Sequence, residues 1–377
     1  MDDVLILGAG VIGLSAAYEL SGHGLSVRLI DRGNPGREAS WAGAGILPPA
    51  ADYPGADSYE QLSALSYGLH AHWTRQLREE TGIDNGYRHC GGLYVAVDAD
   101  ETSGLDQLAD YYRRQGFGCE SLDSQALAET QPALVESFDS GRIRKLVHVP
   151  DEAQIRNPWH LQALTAACQQ RQVTIESGRA AVDFHFDGDR VSGVETDRGT
   201  ITAGTVIVTC GAWTSTLAAR LGIELPLRPI RGQIALLHGS RPLLTSVVNR
   251  GARYLVPRPD GRVLIGSTED DVGFDKRTTA GAITDLLEMA FELVPELREQ
   301  TLEQSWAGLR PATADRLPFI GPVPGLENAF IAAGHFRAGL GLSTGTAVVL
   351  SQLIRGETPT INLEPLRLDR AARHANA

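Results

Sequence analysis

The chain is poor in cysteine. Its 377 residues contain four, Cys90, Cys119, Cys168 and Cys210, which lie far apart and show neither a CxxC pair nor the spacing of a zinc site. A disulfide-stapled scaffold and a cysteine-bound metal are therefore disfavoured, and we find no motif for a metal centre. We expect isolated, buried thiols of the kind found in a reducing compartment.

Long apolar runs and long runs of one charge are also missing. No stretch reaches the length that spans a membrane, and the acidic start Met1-Asp2-Asp3 does not resemble a signal peptide. The net charge is −12, from 34 basic and 46 acidic residues, whereas nucleic-acid binding needs a basic face. These absences predict a cytoplasmic protein without a membrane or nucleic-acid partner.

What the chain does have is an ordinary globular composition, 42% hydrophobic and 21% charged, and a length that suggests two domains. Its strongest pattern lies at the amino terminus. The apolar run Val4–Leu7 predicts a buried strand, Gly8-Ala9-Gly10-Val11-Ile12-Gly13 follows at once, and Leu14–Leu20 has helical spacing. Ser26–Ile30 predicts a second strand, with Asp31 at its end.

Each glycine of this GxGxxG turn has a physical reason. Gly8 permits a tight turn, Gly10 lets a pyrophosphate approach the backbone, and Gly13 lets helix and strand pack closely. The helix N-terminus attracts phosphates, and Asp31 can accept hydrogen bonds from a ribose hydroxyl. The pattern predicts a dinucleotide site without distinguishing NAD from FAD. The alternative is an ordinary strand–helix turn with Asp31 as a loop cap.

Later segments predict two interleaved domains within an α/β protein (α+β overall). The apolar run Thr205–Thr209 predicts a parallel strand that returns to the nucleotide fold, whereas Ala252–Val256 and Arg262–Ser267 predict an antiparallel pair. The predicted boundaries are 1–85, 145–215 and 305–377 for a Rossmann-like domain and 86–144 and 216–304 for an antiparallel-sheet domain. We expect the last dozen residues to fray.

Three further motifs point to a family. They are Tyr254-Leu255-Val256-Pro257-Arg258, the stretch that begins Trp306-Ala307-Gly308-Leu309-Arg310-Pro311, and Gly334-His335-Phe336-Arg337. Together with the GxGxxG turn, and in this order over nearly the whole chain, they resemble the FAD-dependent D-amino acid oxidase superfamily. Within it they look closest to the glycine oxidase branch of the thiamine pathway. The resemblance implies an FAD-binding domain and a substrate-binding domain.

The resemblance also implies a reaction. A hydride would leave Cα of glycine, or of sarcosine or a small D-amino acid, for the flavin, and O2 would be reduced to H2O2. The imino acid would be hydrolysed or would supply thiamine biosynthesis. Such chemistry needs no side-chain nucleophile or metal, but it needs a fixed carboxylate, which a planar guanidinium binds well.

The family match assigns three residues to the substrate. Arg310 would bind the carboxylate, Tyr254 would place its hydroxyl against it, and Arg337 would join the site through its carbonyl or its side chain. The alternatives are an Arg310–Asp315 pair that holds a loop together, a core tyrosine and a surface arginine.

The match assigns a larger set of residues to FAD, most of them in glycine- and alanine-rich segments. Besides the GxGxxG turn and Asp31, they are Arg32, Ala39, Ser40, Ala44, Gly45, Ile46, Ala181, His335, Phe336, Arg337, Ala338, Gly339, Leu340 and Gly341. Because the last three precede a predicted helix, the free N–H groups of that helix would stabilise negative charge on the reduced ring.

The family pattern carries three further expectations. In sarcosine-oxidase relatives a cysteine downstream of the tryptophan motif binds FAD covalently, but all four cysteines here precede Trp306, so noncovalent FAD is expected. A homo-oligomer, specifically a tetramer, is also expected. The acidic run Glu269-Asp270-Asp271 faces either the substrate amine or solvent.

Other functions stay open on the residues alone. One is a D-amino acid dehydrogenase with an acceptor other than oxygen, which peroxide formation in air would exclude. Another is an oxidase of a bulkier N-carboxymethyl amine. A nonenzymatic nucleotide-binding protein would show no bleaching of its yellow colour by any amine.

Overall fold

The computed structural model describes residues 1–370. The strands, in chain order, are β1 (Asp2–Leu7), β2 (Val27–Asp31), β3 (Ile46–Leu47), β4 (Arg88–His89), β5 (Gly92–Ala96), β6 (Glu120–Ser121), β7 (Lys145–Val149), β8 (Ala153–Gln154), β9 (Thr174–Ser177), β10 (Ala181–Asp187), β11 (Arg190–Thr196), β12 (Ala203–Val208), β13 (Arg228–His238), β14 (Val247–Arg250), β15 (Arg253–Pro257), β16 (Arg262–Gly266), β17 (Thr301–Ala312), β18 (Phe319–Pro322) and β19 (Ala329–Ala333).

The α-helices are α1 (Val11–Gly22), α2 (Ala39–Ala42), α3 (Ser58–Thr81), α4 (Ala99–Arg114), α5 (Ser124–Thr130), α6 (Val135–Asp139), α7 (Asn157–Gln170), α8 (Thr214–Arg220), α9 (Ala280–Leu293) and α10 (Ser343–Ile354). Within residues 1–370, none of them combines the length and the apolar character needed to cross a membrane.

Helix α3 shows how local sequence sets the ends of an element. Asp57 accepts a hydrogen bond from the Glu60 backbone N–H at 2.9 Å, and the Glu60 carboxylate accepts one from the Asp57 N–H at 2.9 Å. This reciprocal cap satisfies donors that the first turn leaves free. The apolar spacing of Leu62, Leu65 and Leu69 predicts a helix from about Ser58 to Thr81 that Gly82 closes, and the structure confirms it.

The first sheet has the order β18-β19-β12-β1-β2-β9. All its neighbours run parallel except β18, which pairs antiparallel with β19. The predicted return of the chain is confirmed, because Thr205 on β12 lies opposite Val4 on β1. Helices α1, α3, α7 and α10 pack their apolar side chains on one face of this sheet, and the β10–β11 hairpin and α8 cover the other.

The second sheet has the order β17-β13-β16-β15-β14-β5-β7-β6. Its neighbours are antiparallel except β14 and β5, which run parallel, and β15 pairs with β16 as predicted. The mixed α/β architecture confirms the predicted fold class. The domain boundaries stay a prediction. β7 pairs with β5 and β17 pairs with β13, so both strands lie in the second sheet, whereas boundaries at 145 and 305 would place β7 and residues 305–312 of β17 with the first.

One row of side chains crosses the second sheet and positions the site described below. Strand register sets these residues side by side: Tyr94, Asn249, Tyr254, Gly266, Ile234 and Trp306. Residues opposite one another on neighbouring strands share a face and lie about 5 Å apart.

The carboxyl-terminal end corrects one expectation. Leu366 and Leu368 are buried, and Arg370 is 7% exposed. The Arg370 guanidinium donates to both oxygens of the Asp315 carboxylate and to the carbonyls of Leu317 and Pro318. The first part of the predicted frayed tail is therefore packed, and the rest lies outside the described residues.

Candidate active site

A cavity of about 770 Å³ lies between the carboxyl ends of β1, β2, β12 and β19 and one face of the second sheet. This edge is where open parallel sheets bind their ligands, because strand ends and helix N-termini meet there. The segment from Glu38 to Ala50 and the turn from Ala332 to Leu342 close the cavity between the sheets.

The glycines of the GxGxxG turn have two different roles: Gly8 and Gly13 allow close packing, and Gly10 leaves space beside the backbone. Gly8 has φ +105°, and a Cβ there would lie 2.6 Å from the Thr209 carbonyl oxygen. A Cβ on Gly13 would lie 2.0 Å from the Gly8 carbonyl oxygen, so Gly13 serves helix–strand packing and does not line the cavity. A Cβ on Gly10 would meet only the Ser40 hydroxyl, at 3.3 Å. Gly10 therefore leaves free space on the cavity side.

Asp31 supports this turn directly. One of its carboxylate oxygens accepts a hydrogen bond from the Ala9 N–H at 2.8 Å, and the other accepts one from the Gly33 N–H at 2.7 Å. The side chain also lines the cavity. Asp31 thus caps the loop, as in the alternative interpretation given above. A hydrogen bond from a ribose hydroxyl to its remaining lone pairs stays a prediction.

The segment around Gly45 is held by a buried arginine that the sequence analysis did not single out. Arg258 is 4% exposed. Its guanidinium donates to the Ala44 carbonyl at 2.8 Å, the Gln154 side chain at 2.6 Å and the Ile155 carbonyl at 3.1 Å. Burial lowers the pKa of Arg258 to about 10. Gly45 has φ +76°, and a Cβ there would lie 2.0 Å from the Ile155 carbonyl oxygen. The backbone of this segment therefore needs glycine at position 45.

Arg310 points its guanidinium into the cavity wall and donates hydrogen bonds only to neutral groups. It donates to the Ser267 hydroxyl at 2.6 Å and to the Thr268 carbonyl at 3.0 Å. Burial lowers the pKa of Arg310, and the neighbouring Tyr254 hydroxyl opposes that shift. The alternative pairing with Asp315 is wrong, because that carboxylate pairs with Arg370. Within residues 1–370, no carboxylate lies within ion-pair distance of Arg310.

Tyr254 lies beside Arg310 on the cavity wall. Its ring covers Gly266, where a Cβ would lie 2.6 Å from a ring carbon. A side chain on Gly232 would likewise collide with the Arg310 guanidinium, at 2.1 Å. Two glycines of neighbouring strands thus make the room in which the tyrosine and the arginine lie together.

Arg337 also lines the cavity, at its exposed edge. Its guanidinium donates to the Glu269 carboxylate and, at 2.7 Å, to the Ala252 carbonyl. Asp270 pairs with Arg231 at 3.1 Å, and the exposed Asp271 pairs with Arg228 at 3.4 Å. Each acid of the run therefore neutralises a different arginine.

The turn after β19 contains a histidine that burial keeps neutral. His335 is 4% exposed and its Nε2 bonds the Thr346 hydroxyl at 3.1 Å. Burial lowers the pKa of His335 to about 3. His70, which the sequence analysis missed, bonds the Gly341 carbonyl at 2.8 Å and anchors the far end of the same turn.

The cavity brings together nearly all the predicted site residues. Those that line it are Gly8, Gly10, Val11, Ile12, Asp31, Arg32, Ala39, Ser40, Ala44, Gly45, Ile46, Ala181, Tyr254, Arg310 and His335 to Gly341. Which of them contact a ligand stays a prediction. Arg258 stood inside a quoted motif, but its partners come from distant segments and left no sequence signal.

The cysteines are free thiols, two buried and two half-buried. Cys210 lines the cavity, and its thiol donates to the Leu7 carbonyl at 3.1 Å. Burial raises the pKa of Cys210 to about 12, and a thiol that stays protonated is a poor nucleophile.

Known proteins are similar to this chain in sequence and in fold. The family model for FAD dependent oxidoreductases, DAO, matches residues 3–353. A glycine oxidase of Pseudomonas aeruginosa is 36% identical over 363 residues, which cover 96% of this chain and 97% of that protein. A glycine oxidase of Geobacillus kaustophilus is 31% identical over 371 residues, 98% of this chain and 97% of that protein. A crystal structure of glycine oxidase from Geobacillus kaustophilus has a TM-score of 0.92 at 30% identity and covers 98% of both chains.

Proposed function

The chain belongs to the DAO family of FAD-dependent oxidoreductases, and from this premise we propose that it oxidises glycine, or sarcosine or a small D-amino acid, with O2 as the final electron acceptor. The proposal extends to the product, an imino acid that is hydrolysed or, by the family resemblance, supplies thiamine biosynthesis.

The residues of the cavity fit FAD. Gly10 leaves space for a pyrophosphate, as a Cβ there would meet nothing of the protein except the Ser40 hydroxyl. The Val11 N–H at the start of α1 donates to that same hydroxyl at 2.9 Å, which ties the helix N-terminus to the Ala39–Ile46 segment. When bound, FAD supplies the two-electron acceptor that amino acid side chains lack.

One observation carries the substrate assignment: Arg310 is a half-buried guanidinium without an acidic partner among the described residues. A charge removed from water is costly unless a counter-charge and hydrogen bonds compensate it. Ser267 and Thr268 supply the hydrogen bonds but no counter-charge. The carboxylate of an amino acid, seated against Arg310 and Tyr254, would supply it.

The chemistry balances without a nucleophile from the protein. Glycine gives up two electrons and two protons from its H–Cα–N–H unit, and a C=N bond forms. O2 takes up two electrons and two protons as H2O2, and water hydrolyses the imino acid to glyoxylate and ammonia. Burial lowers the pKa of His335 to about 3, which makes it a poor base, and we propose that the amine loses its proton to water.

A peroxide assay tests this proposal. The purified FAD-loaded protein is incubated in air with glycine, sarcosine, iminodiacetate and both alanine enantiomers, and H2O2 and ammonia are measured. Peroxide from glycine supports the proposal. Bleaching without oxygen but no peroxide in air would identify a dehydrogenase instead, and no bleaching by any amine would overturn the proposal.

Removal of the guanidinium should weaken substrate binding while FAD stays bound. One charge-assisted hydrogen bond contributes about 1.5–3 kcal/mol, so we expect Arg310→Ala to raise the glycine KM roughly 10- to 100-fold. Arg75→Ala, an exposed position on α3, is the control. An unchanged KM in Arg310→Ala would remove the carboxylate assignment.

We also propose noncovalent FAD and a homotetramer. The protonated thiol of Cys210 and the position of all cysteines before Trp306 support the first. Acid precipitation should therefore leave a colourless pellet. Light scattering should give four times the 40.5 kDa chain mass.

A further inference from the structure

Asn249 occupies a particular place on the cavity wall. It lies between Tyr254 and Tyr94 in the row across the second sheet, opposite both in strand register. All three residues line the cavity. An acceptor or donor on Asn249 is therefore one strand away from the Tyr254–Arg310 pair.

A buried carboxyl group lies behind this wall. Glu152 is 0% exposed, and its carboxyl group fills the space over Gly92, where a Cβ would lie 2.4 Å from the carboxyl carbon. The Cys90 and Gly91 N–H groups donate to the Glu152 carbonyl at 3.2 and 3.0 Å, which fixes the backbone as well. The Tyr94 hydroxyl donates to one carboxyl oxygen and Asn249 Nδ2 to the other, at 3.0 Å.

This contact decides which way the Asn249 amide faces. Oxygen against a carboxyl acceptor would be repulsive, so the NH2 group must point at Glu152. Asn249 Oδ1 then points away from Glu152, and among residues 1–370 no group donates to it. The orientation holds in both protonation states of Glu152 if a proton resides on the oxygen shared with Tyr94, because the other oxygen stays an acceptor.

We propose that Asn249 Oδ1 accepts a hydrogen bond from the amino group of the substrate, and that Glu152 is the positioning residue that turns the amide toward the cavity. The inference rests on the proposed function, because it needs Arg310 to hold the carboxylate. Side chains in neighbouring strands lie about 5 Å apart. That spacing suits a ligand with a single carbon between carboxylate and nitrogen.

The proposal restricts the substrate to amino acids that keep an N–H when the amine is neutral. Glycine and sarcosine satisfy this requirement, whereas N,N-dimethylglycine has no such N–H. Acetate has the carboxylate alone and should bind without using Asn249. A site that recognises a donor in this way discriminates strongly against analogues that lack it.

The test compares Asn249→Leu with the FAD-loaded wild type. We expect kcat/KM for glycine and sarcosine to fall roughly 10- to 100-fold, the range for a lost hydrogen bond in a desolvated site, while the Kd of acetate, titrated through the flavin spectrum, stays within about twofold of wild type. N,N-dimethylglycine should be a poor substrate of both proteins. Arg310→Lys should weaken acetate and glycine together, which separates the two halves of the site.

A second variant guards against simple misfolding, because Asn249→Leu also removes a donor from Glu152. Glu152→Gln keeps the shape of the side chain but can turn an NH2 group toward Asn249. We expect it to lower kcat/KM for glycine with an unchanged acetate Kd and unchanged FAD content.

The outcomes separate this inference from the proposed function. An unchanged kcat/KM for glycine in Asn249→Leu, or a parallel loss of acetate binding, overturns the recognition role. An unchanged kcat/KM in Glu152→Gln overturns the positioning role. A wild type that no amino acid bleaches overturns the proposed function, and this inference with it.

Discussion

At the scale of single residues, the cost of burying a charge shifts the pKa of Glu152 and makes the stability of the protein depend on pH. Burial raises the pKa of Glu152 to about 7 from its ordinary 4.5, although Tyr94 and Asn249 oppose the shift. The folded state therefore holds the proton more tightly than the unfolded chain. This contribution to stability is fully present below about pH 4.5 and is lost as pH rises to about 7.

We therefore expect the free energy of unfolding to fall between about pH 4.5 and 7, with a contribution from Glu152 on the order of 3 kcal/mol. Denaturant titrations across this range would measure the slope. Glu152→Gln should flatten it, whereas Glu79→Gln, on an exposed part of α3, should not. An equal slope in wild type and Glu152→Gln would contradict the assignment.

At the scale of elements, the glycines of the first turn should fail in different ways. A Cβ on Gly13 would overlap the Gly8 carbonyl, so Gly13→Ala should destabilise the fold itself. A Cβ on Gly10 meets only a movable hydroxyl. We expect Gly10→Ala to fold normally and to bind FAD at least tenfold more weakly, because the methyl group takes the space of a phosphate.

Thermal unfolding of the apoproteins and FAD titration would separate these two effects. The expected pattern is a wild-type-like melting temperature with weak FAD binding for Gly10→Ala, and a lowered melting temperature for Gly13→Ala. Tight FAD binding by Gly10→Ala would show that the pyrophosphate lies elsewhere.

At this scale the sequence predicts those elements whose structure is set by residues close together in the chain. Helix α3 could be predicted because its apolar spacing and the glycine that ends it lie within one continuous segment. The Arg258 contacts and the Asp315–Arg370 pair join residues far apart in sequence, 55 positions in the second case. The hydrophobic periodicity of a sequence carries no information about such long-range pairs. For the same reason the boundaries predicted at 145 and 305 do not follow the second sheet, which contains β7 and β17.

Glu152 and Asn249 illustrate the limit for the site. Each is an ordinary polar residue in its own stretch. The two come together because the Cys90 and Gly91 N–H groups hold the Glu152 backbone beside the start of β5, and β5 pairs with β14, which carries Asn249. Arg310 and Tyr254 could be predicted as site residues only because they lie in motifs that resemble those of the family. The residues that orient them, Ser267 and Gly232, became visible only in the folded chain.

At the scale of the whole molecule, one ligand would touch both sheets. Because the cavity is lined by the ends of the first sheet and a face of the second, bound FAD should stabilise both together. Ligand linkage predicts about 1.4 kcal/mol of added stability for each tenfold rise in free FAD above Kd. Chemical denaturation at several FAD concentrations would measure it.

Hydrogen exchange gives the sharper version of this test. Protection on FAD binding should rise in β1 and α1 and also in β15 and β16. Protection confined to the first sheet would show that the second sheet opens independently of the cofactor.

The path of the chain has a consequence for how such a protein can be divided. It enters the first sheet, leaves for the second, returns, leaves again and returns once more. No single cut in the gene would therefore yield a fragment that carries one complete sheet. Recombination that exchanges one continuous gene segment therefore cannot exchange one complete sheet. We expect new specificities in such proteins to come from substitutions in the loops and on the strand faces, with both sheets kept.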